Sequence, residues 1–292
     1  MATIPYITGF NVKPSSISGI GIVTFTDGTN DITPNQLECE AYGYTYDRNT
    51  GTCSTLTFNT NLGRNIGNIN NTIKGGNNNT ETGTDNNLII GESNTIKSTS
   101  RNNLVVGTDN EIASGINNTT VLGLNGKATT QAEFAIGGGI ESIADSTDAT
   151  TLISKRKRSV IELAGVTIDN TATNLTVSGD GSSFISVEPN SIIGYDIYIT
   201  RLELGGTAGT AGNYSYRNIR GAVKIDNSRT MSFIVGFNRN IAKVGINATC
   251  VMAESTVGSD LSISVQVTDR NNVTNLWSAS VTLHEVISTT TF

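Results

Sequence analysis

Asn-Asn-Leu-Ile-Ile-Gly at residues 86–91 returns as Asn-Asn-Leu-Val-Val-Gly at residues 102–107, sixteen positions further along the chain. The same register runs through residues 70–138, where asparagines are followed by apolar residues and then by a glycine. A fixed period indicates a repeat architecture, because single units bury their apolar side chains only by stacking on one another. The core and glycine positions of the four copies are Ile73, Gly75, Ile89, Gly91, Val105, Gly107, Val121 and Gly123.

Sixteen residues suit one coil of a parallel β-solenoid, in which two short strands of about five residues are joined by two tight turns. Neighbouring coils then pair at about 4.8 Å, so Ile73, Ile89, Val105 and Val121 stack inside. We expect the glycines in turns with positive φ and the asparagines at the other left-handed positions, because these two residue types tolerate that region best. Stacked asparagines can also pair their amides from coil to coil.

The predicted solenoid is short and thin. Four or five coils extend only about 20 to 25 Å and hold one or two inward apolar residues per strand. Such a stack needs partners, and a closed cyclic trimer is the simplest symmetric arrangement for an elongated fibre. We therefore expect a homotrimer.

Four segments carry a resemblance to a known family: residues 86–91 and 102–107, Thr-Thr-Val-Leu-Gly at 119–123, and Glu-Phe-Ala-Ile-Gly-Gly-Gly at 133–139. They resemble the head repeats of YadA-like trimeric adhesins, which also occur in bacteriophage head and tail fibre proteins. The resemblance is confined to the repeats and implies a trimeric left-handed β-roll. It points to a fold more than to a particular function.

Bulk composition narrows the classes of function. Charged residues make up 15% of the chain and its formal net charge is −6, which gives no electrostatic case for binding nucleic acid. Residues 1–6 show no secretory signal, and no apolar run reaches the roughly 18 residues that a membrane span requires. We therefore expect a virion protein made in the host cytoplasm, without membrane insertion, rather than a bacterial adhesin that needs a signal and an anchor.

Four segments are expected along this all-β chain. Residues 1–58 form an N-terminal attachment piece, and residues 59–139 form the solenoid. Residues 140–158 form a neck or linker, whose run Lys155-Arg156-Lys157-Arg158 is interpreted as a solvated surface feature. Residues 159–292 show period-two alternation and turn signals, which indicate an antiparallel β-sandwich of jelly-roll type.

The cysteines and the histidine offer little chemistry. Cys39 and Cys53 could close a loop over residues 40–52, but free thiols in a reducing cytoplasm are the favoured interpretation. Cys250 lies in an alternating strand and is expected to be a small core residue. Because His284 is the only histidine, a zinc site of the usual kind is excluded, and no metal or cofactor is expected.

An aromatic segment near the N-terminus is a candidate docking site. Tyr42, Tyr44 and Tyr46 stand among acidic residues, and exposed tyrosines are favoured anchors of interfaces. They are candidates for contact with another virion protein, whether capsid, portal or tail. The alternative is a capped hairpin that packs on the first coil.

A second candidate contact site lies in the C-terminal part. Tyr214, Tyr216, Arg217 and Arg220 combine ring stacking with bidentate hydrogen bonding, as carbohydrate or protein recognition requires. These residues would contact either a host receptor or another copy of the chain.

Two features of the sequence bear on whether the chain is an enzyme. The glycine-rich segment 205–212 lacks the lysine of a phosphate-binding loop and is interpreted as a flexible connection between strands, or an exposed tip. A glycan-degrading tailspike needs paired carboxylates, but the acidic residues of the solenoid are scattered among its turns. They are Glu81, Asp85, Glu92, Asp109, Glu111 and Glu133.

The sequence therefore predicts a structural protein of a bacteriophage virion, either a head fibre or a tail fibre. It is attached through its N-terminus, and its C-terminal sandwich contacts a glycan or protein on the host surface. No enzymatic activity is expected. The alternatives are a fragment of a bacterial trimeric adhesin and a polysaccharide-depolymerising tailspike.

Overall fold

The computed structural model describes residues 4–18, 21–48, 50–55, 70–144, 151–255 and 260–288. The first part of the expected solenoid, residues 59–69, lies outside these residues. The chain divides into two compact units, Met1–Ile66 and Gly67–Phe292. Strands dominate both units, so the expected all-β class is confirmed. No helix formed by the described residues is long and apolar enough to span a membrane.

The described residues of the first unit form two small antiparallel sheets and one helix. Strands β1, β2 and β3 form one sheet, and β4 and β5 form a hairpin. The elements are β1 (Lys13–Ile17), β2 (Val23–Thr26), β3 (Asp31–Ile32), α1 (Gln36–Ala41), β4 (Thr45–Asp47) and β5 (Thr52–Ser54).

Helix α1 begins after Asn35 and ends at Ala41. A capping box starts it: the Asn35 side chain accepts a hydrogen bond from the Glu38 N–H, and the Glu38 carboxylate accepts one from the Asn35 N–H, both at 2.9 Å. These reciprocal bonds satisfy two N–H groups that a short helix otherwise leaves unpaired. The local cap, not the apolar pattern, decides the conformation here.

A disulfide joins α1 to β5. Cys39 and Cys53 are both buried and bonded to each other, so the interpretation of free thiols was wrong. The bridge lies in a core that includes Val12, Val23 and Phe25. Closing a loop of this length stabilises a small unit by about 3 kcal/mol in the chain-entropy account.

The second unit begins with the solenoid. Its longer strands pair in parallel with a sixteen-residue step, so Val105 lies between Ile89 and Val121. The shorter strands form a second parallel sheet in the order β13-β11-β9-β7. The predicted β-solenoid is confirmed. Its strands are β6 (Thr72–Lys74), β7 (Asn79–Thr80), β8 (Leu88–Glu92), β9 (Thr95–Ile96), β10 (Leu104–Thr108), β11 (Glu111–Ile112), β12 (Thr120–Leu124) and β13 (Lys127–Ala128).

The interior of the solenoid is a thin apolar stack. Ile89, Val105 and Val121 are fully buried, and Ile73 at the first described coil is partly buried against them. The second sheet contributes a facing row of side chains, among them Ile96. Each coil therefore supplies only about one inward side chain from each sheet.

Asparagine pairs have two separate roles in each coil. The first residue of a pair, such as Asn102, has positive φ. The second is buried in a ladder, where the Asn103 side-chain N–H donates to Asn87 at 3.0 Å and that of Asn87 donates to Asn71 at 2.8 Å. A parallel ladder runs through Asn78, Asn94 and Asn110. These buried amides hold the coils in register.

The glycines mark the closest approach between coils. Gly75, Gly91, Gly107 and Gly123 all have positive φ. The last three lie within strands rather than in the expected turns. A Cβ atom on Gly107 would lie 1.9 Å from the carbonyl oxygen of Gly123. Backbone proximity as well as positive φ therefore requires glycine at these four stacked positions, which we call the glycine column.

The remaining strands extend the solenoid sheet and add a second one. Strand β14 pairs in parallel with β12 and antiparallel with β15. One eleven-stranded sheet results, in the order β21-β20-β19-β24-β15-β14-β12-β10-β8-β6, with β17 paired to β15. The strands are β14 (Phe134–Ala144), β15 (Thr151–Thr167), β16 (Thr173–Asn174), β17 (Thr176–Val177), β18 (Ile185–Ser186), β19 (Ser191–Gly205), β20 (Tyr214–Ile225), β21 (Met231–Val244), β22 (Thr249–Glu254), β23 (Ser262–Thr268) and β24 (Thr274–Ser288).

This topology corrects the expected neck. The described residues of segment 140–158 belong to β14 and β15, which continue the sheet rather than link two domains. A four-stranded sheet of β16, β23, β18 and β22 shares an apolar core with the long sheet. Val265 and Cys250 come from the former, Ile197 and Trp277 from the latter. Burial raises the pKa of the Cys250 thiol to about 11.

The glycine column yields the first prediction. Gly107→Ala should lower the free energy of unfolding by roughly 2 kcal/mol or more, because it combines a strained φ with a backbone clash. Gly76→Ala is the matched control, since its Cβ would meet open space, and it should change stability by less than about 0.5 kcal/mol. Urea unfolding followed by circular dichroism measures both. Equal stability of the two variants would contradict the close packing of coils.

Candidate interaction surfaces

The long sheet has one face on the core and one face exposed, which we call the outer face. In β19, buried positions alternate over the whole strand with positions that are partly or largely exposed. The same alternation places Ile136 of β14 on the outer face, because it pairs with the exposed Arg158 of β15. The outer face therefore runs continuously from the solenoid into the C-terminal strands.

An apolar row crosses five strands of the outer face. Val166, Leu276, Leu202, Tyr214 and Val244 are direct cross-strand partners in that order. Each side chain is between 41% and 52% exposed. The row spans about 19 Å at the usual strand spacing. Contiguous apolar surface of this kind marks an interaction site rather than scattered exposure.

The structure brings three of the four candidate C-terminal residues to the outer face. Tyr214 belongs to the apolar row, and the ring of Tyr216 stacks on Tyr198 with centroids 5.8 Å apart. Arg220 contacts the carboxylate of Asp196 at 3.1 Å. Arg217 lies on the other side, since it pairs with the buried Ile199, and its Nε donates to the Asn240 side chain at 3.1 Å.

The N-terminal tyrosines have a packing role in the first unit. The Tyr42 hydroxyl donates to the Val12 carbonyl at 2.6 Å and accepts from the Ile7 N–H at 2.9 Å. Tyr42 and Tyr44 both meet the ring of Phe25 edge-on. These two residues and Tyr46 are half-buried against the core. The rings of these three tyrosines therefore do not project freely into solvent, as docking through them would require.

A buried charged cluster joins the end of the solenoid to β15 and β24. The Lys157 ammonium lies 2.9 Å from Glu133 and 3.4 Å from Glu285, and the exposed fractions of the three side chains are 11%, 1% and 6%. The Ser159 hydroxyl donates to Glu133. Thus one member of the cationic run is buried and paired, while Lys155 is exposed. The interpretation of the whole run as a solvated feature was wrong.

Electrostatics distinguish the two carboxyls of this cluster. Burial alone would raise the pKa of Glu133, but Lys157 and the hydrogen bond from Ser159 hold it below its ordinary value. Burial raises the pKa of Glu285 above its ordinary value, and Lys157 only partly offsets this effect. Burial would lower the pKa of Lys157, but the two carboxyls raise it. The cluster therefore contains one stable ion pair, between Lys157 and Glu133. The second carboxyl, Glu285, is harder to ionise than an ordinary glutamate.

The acidic residues of the solenoid are mostly engaged in contacts between coils. Glu81 pairs with Lys97 at 3.0 Å and Glu111 contacts Lys127 at 3.7 Å. Asp85 accepts a hydrogen bond from the coil before it, Asp109 has positive φ and Glu92 ends β8. Glu133 is too buried to meet a substrate. Among the residues that the structure describes, no cluster of three His, Cys, Asp or Glu side chains could hold a metal.

The glycine-rich segment 205–212 connects β19 to β20, but it is anchored rather than free. The Thr210 N–H donates to the buried carboxylate of Glu203 at 2.5 Å. Arg270 contacts the same carboxylate at 3.0 Å and donates to the Ala208 carbonyl at 3.1 Å. Arg201, fully buried, pairs with Asp269 at 2.7 Å nearby. The expectation of a flexible connection was wrong, because these charged groups fix the loop.

A groove of about 720 Å³ lies between the second sheet of the solenoid and the loops of the C-terminal strands. We call it the junction groove. Sequence reasoning missed it, because its walls are far apart along the chain. Its lining includes Ser114, Lys127, Thr129, Gln131, Phe184, Ser186, Arg229, Asp260 and Ser262.

Comparison with known proteins gives two similar solved structures, both tailspike proteins of Acinetobacter baumannii phages. The AM24 phage tailspike is 9% identical with a TM-score of 0.21, and the match covers 76% of this chain and 52% of that one. The Fri1 phage tailspike, described as a capsular polysaccharide depolymerase, is 10% identical with a TM-score of 0.21, over 70% of this chain and 40% of that one. No protein-family model and no curated protein matches the sequence.

These comparisons bear on two expectations from the sequence. Both similar structures are phage tailspike proteins, which the sequence analysis gave as an alternative to a head or tail fibre. The expectation that the chain has no enzymatic activity is contradicted, because one neighbour is described as a depolymerase. We do not retain that expectation.

The buried cluster yields the second prediction. Lys157→Met should lower the free energy of unfolding by about 3–5 kcal/mol, because it leaves two buried carboxyls without their cation. The matched control Lys155→Met removes an exposed charge and should cost less than about 0.5 kcal/mol. Thermal unfolding monitored by Trp277 fluorescence reports on the adjoining core. If both variants unfold alike, the cluster does not hold the solenoid to the C-terminal strands.

Proposed function

We propose that the chain is a virion protein of a bacteriophage, a homotrimeric head fibre, tail fibre or tailspike. Its repeats then form a β-roll of the YadA-like kind, and the two sheets of the C-terminal part form a β-sandwich of jelly-roll type. The single observation that carries the proposal is the exposed apolar row that crosses β15, β24, β19, β20 and β21 on the outer face. An exposed apolar row that crosses five strands suits a contact between bundled copies of a fibre.

A threefold arrangement gives that face a partner. Closed cyclic symmetry lets each copy bury the same surface without leaving it free to polymerise. The apolar row of β15, β24, β19, β20 and β21 would then face the neighbouring copies, together with Tyr216. Phe134 and Ile136, both 40% exposed on β14, extend the contact towards the solenoid.

The two ends of the chain have different roles in the proposed fibre. Residues 1–58 attach to the capsid, portal or tail, and residues 159–292 are distal and contact a glycan or protein on the host surface. The separate core and disulfide of the first unit support an autonomous attachment piece. Purified phage particles should contain the full chain. They should lack it when residues 1–58 are deleted, although the shortened protein remains a soluble oligomer.

The outer face yields the third prediction. The intact chain should sediment as a trimer, and the double change Leu202→Glu with Leu276→Glu should shift it to monomers, because six charges would enter an apolar contact. Leu37→Glu is the control, since Leu37 is 70% exposed on α1, and it should leave the trimer intact. Analytical ultracentrifugation distinguishes the outcomes, and circular dichroism checks that the monomers are folded. A monomeric wild type would refute the proposal.

Polysaccharide depolymerisation is a second candidate function. Glu111 and Glu188 contact the same Lys127 ammonium beside the junction groove, at 3.7 and 2.8 Å, and glycoside hydrolysis uses two carboxyl groups. The purified protein should then release reducing ends from host capsular polysaccharide. Glu188→Gln should slow this release by at least about 100-fold, whereas Glu162→Gln on β15 should not. Absence of any reducing ends from the wild type eliminates this candidate.

A further inference from the structure

The junction groove has the dimensions and the construction of a ligand site. Its volume of about 720 Å³ lies within the range of roughly 300–1,000 Å³ that small-molecule sites occupy. One wall consists of solenoid turns that carry Ser114, Thr129 and Gln131, and the other consists of loops that carry Phe184 and Asp260. Both walls belong to the same compact unit.

Direct contacts hold the two walls together. The Ser186 N–H donates to the Thr130 hydroxyl at 3.1 Å, and the Lys127 ammonium pairs with Glu188 at 2.8 Å. The Gln131 amide is fixed by its bond to the Gly115 carbonyl at 2.7 Å. The groove is therefore formed before any ligand arrives, which limits the entropy lost on binding.

The lining determines the class of ligand. Serine and threonine hydroxyls are the most frequent polar groups, Gln131 adds an amide, and Phe184 adds an aromatic ring to a set of apolar side chains. The other apolar lining residues are Ala113, Ile116, Val187, Pro189 and Leu261. Charges of both signs are present: Lys127 is paired with Glu188, and Arg229 shares the lining with Asp260. Such a site offers many donors and acceptors without a strong net charge.

We propose that the junction groove binds a neutral oligosaccharide. Sugar hydroxyls would pair with the serine and threonine hydroxyls and with the carboxylate of Asp260, while Phe184 would pack against the apolar face of a sugar ring. The inference names the ligand class of the proposed host contact and rests on it only for its biological setting. The site itself lies within one chain and does not require the trimer.

Tetrasaccharides of glucose, galactose, mannose and N-acetylglucosamine provide the probes, with a hyaluronan tetrasaccharide as the acidic comparison. Isothermal titration with the full chain should show binding of at least one neutral probe and weaker binding of hyaluronan. Phe184→Ala and Asp260→Asn should each weaken that binding at least tenfold. Asp260→Asn changes no volume at an exposed position, so it tests the site even if Phe184→Ala fails to fold.

Phe237→Ala is the matched control, because Phe237 is exposed on the outer face. It should leave saccharide binding unchanged, whatever it does to the trimer. The proposal is overturned if no neutral tetrasaccharide binds, if hyaluronan binds more tightly, or if both groove variants bind like the wild type. Binding retained by the monomeric Leu202→Glu, Leu276→Glu protein would support the groove even while the trimer proposal failed.

Discussion

The backbone contact between successive coils is the constraint on which the rest of the structure depends. At the glycine column a carbonyl occupies the space where any Cβ would stand, since a Cβ on Gly107 would lie only 1.9 Å from the carbonyl oxygen of Gly123. This approach keeps β8, β10 and β12 in a constant register. In this register β12 pairs in parallel with β14, which continues the sheet. The C-terminal strands then add to β15 as antiparallel partners.

Energetic contributions within the solenoid and the long sheet differ widely in size. Ion pairs between coils, such as Lys97 with Glu81, are about one third exposed, and such pairs typically contribute only about 0–1 kcal/mol. The buried asparagine ladders and the Lys157 cluster are different, because breaking them leaves polar groups without partners in a dry environment. The buried asparagine ladders therefore add to the glycine contact in fixing the register, and the Lys157 cluster connects the solenoid to the C-terminal strands, since the apolar core of each coil is so small.

The sequence predicts those features whose cause is local and periodic. Gly107 and Asn103 repeat at a fixed spacing, so the solenoid and its ladders could be anticipated. Features that depend on distant partners could not. Nothing near Lys157 in the sequence indicates that Glu285 comes beside it across β15 and β24. The capping box at Asn35 starts a helix of only six residues, which is too short to produce an apolar period in the sequence.

The candidate surfaces also combine features that the sequence predicts with features that depend on distant partners. Tyr214 and Tyr216 were recognisable by residue type, but the apolar row required the cross-strand register that sets Leu202 beside Tyr214 and Leu276. A single outward-facing leucine in an alternating strand is common, so the apolar row can be recognised only from its cross-strand neighbours. The junction groove likewise exists only because the chain returns to the solenoid near Ser186.

Cryo-electron microscopy of the purified chain tests the central claim most directly, namely that the outer face is the contact between copies. The account predicts three copies around one axis, with Leu202, Tyr214 and Leu276 of each copy buried against its neighbours. Single copies with these side chains in solvent, or copies joined through another surface, would contradict it.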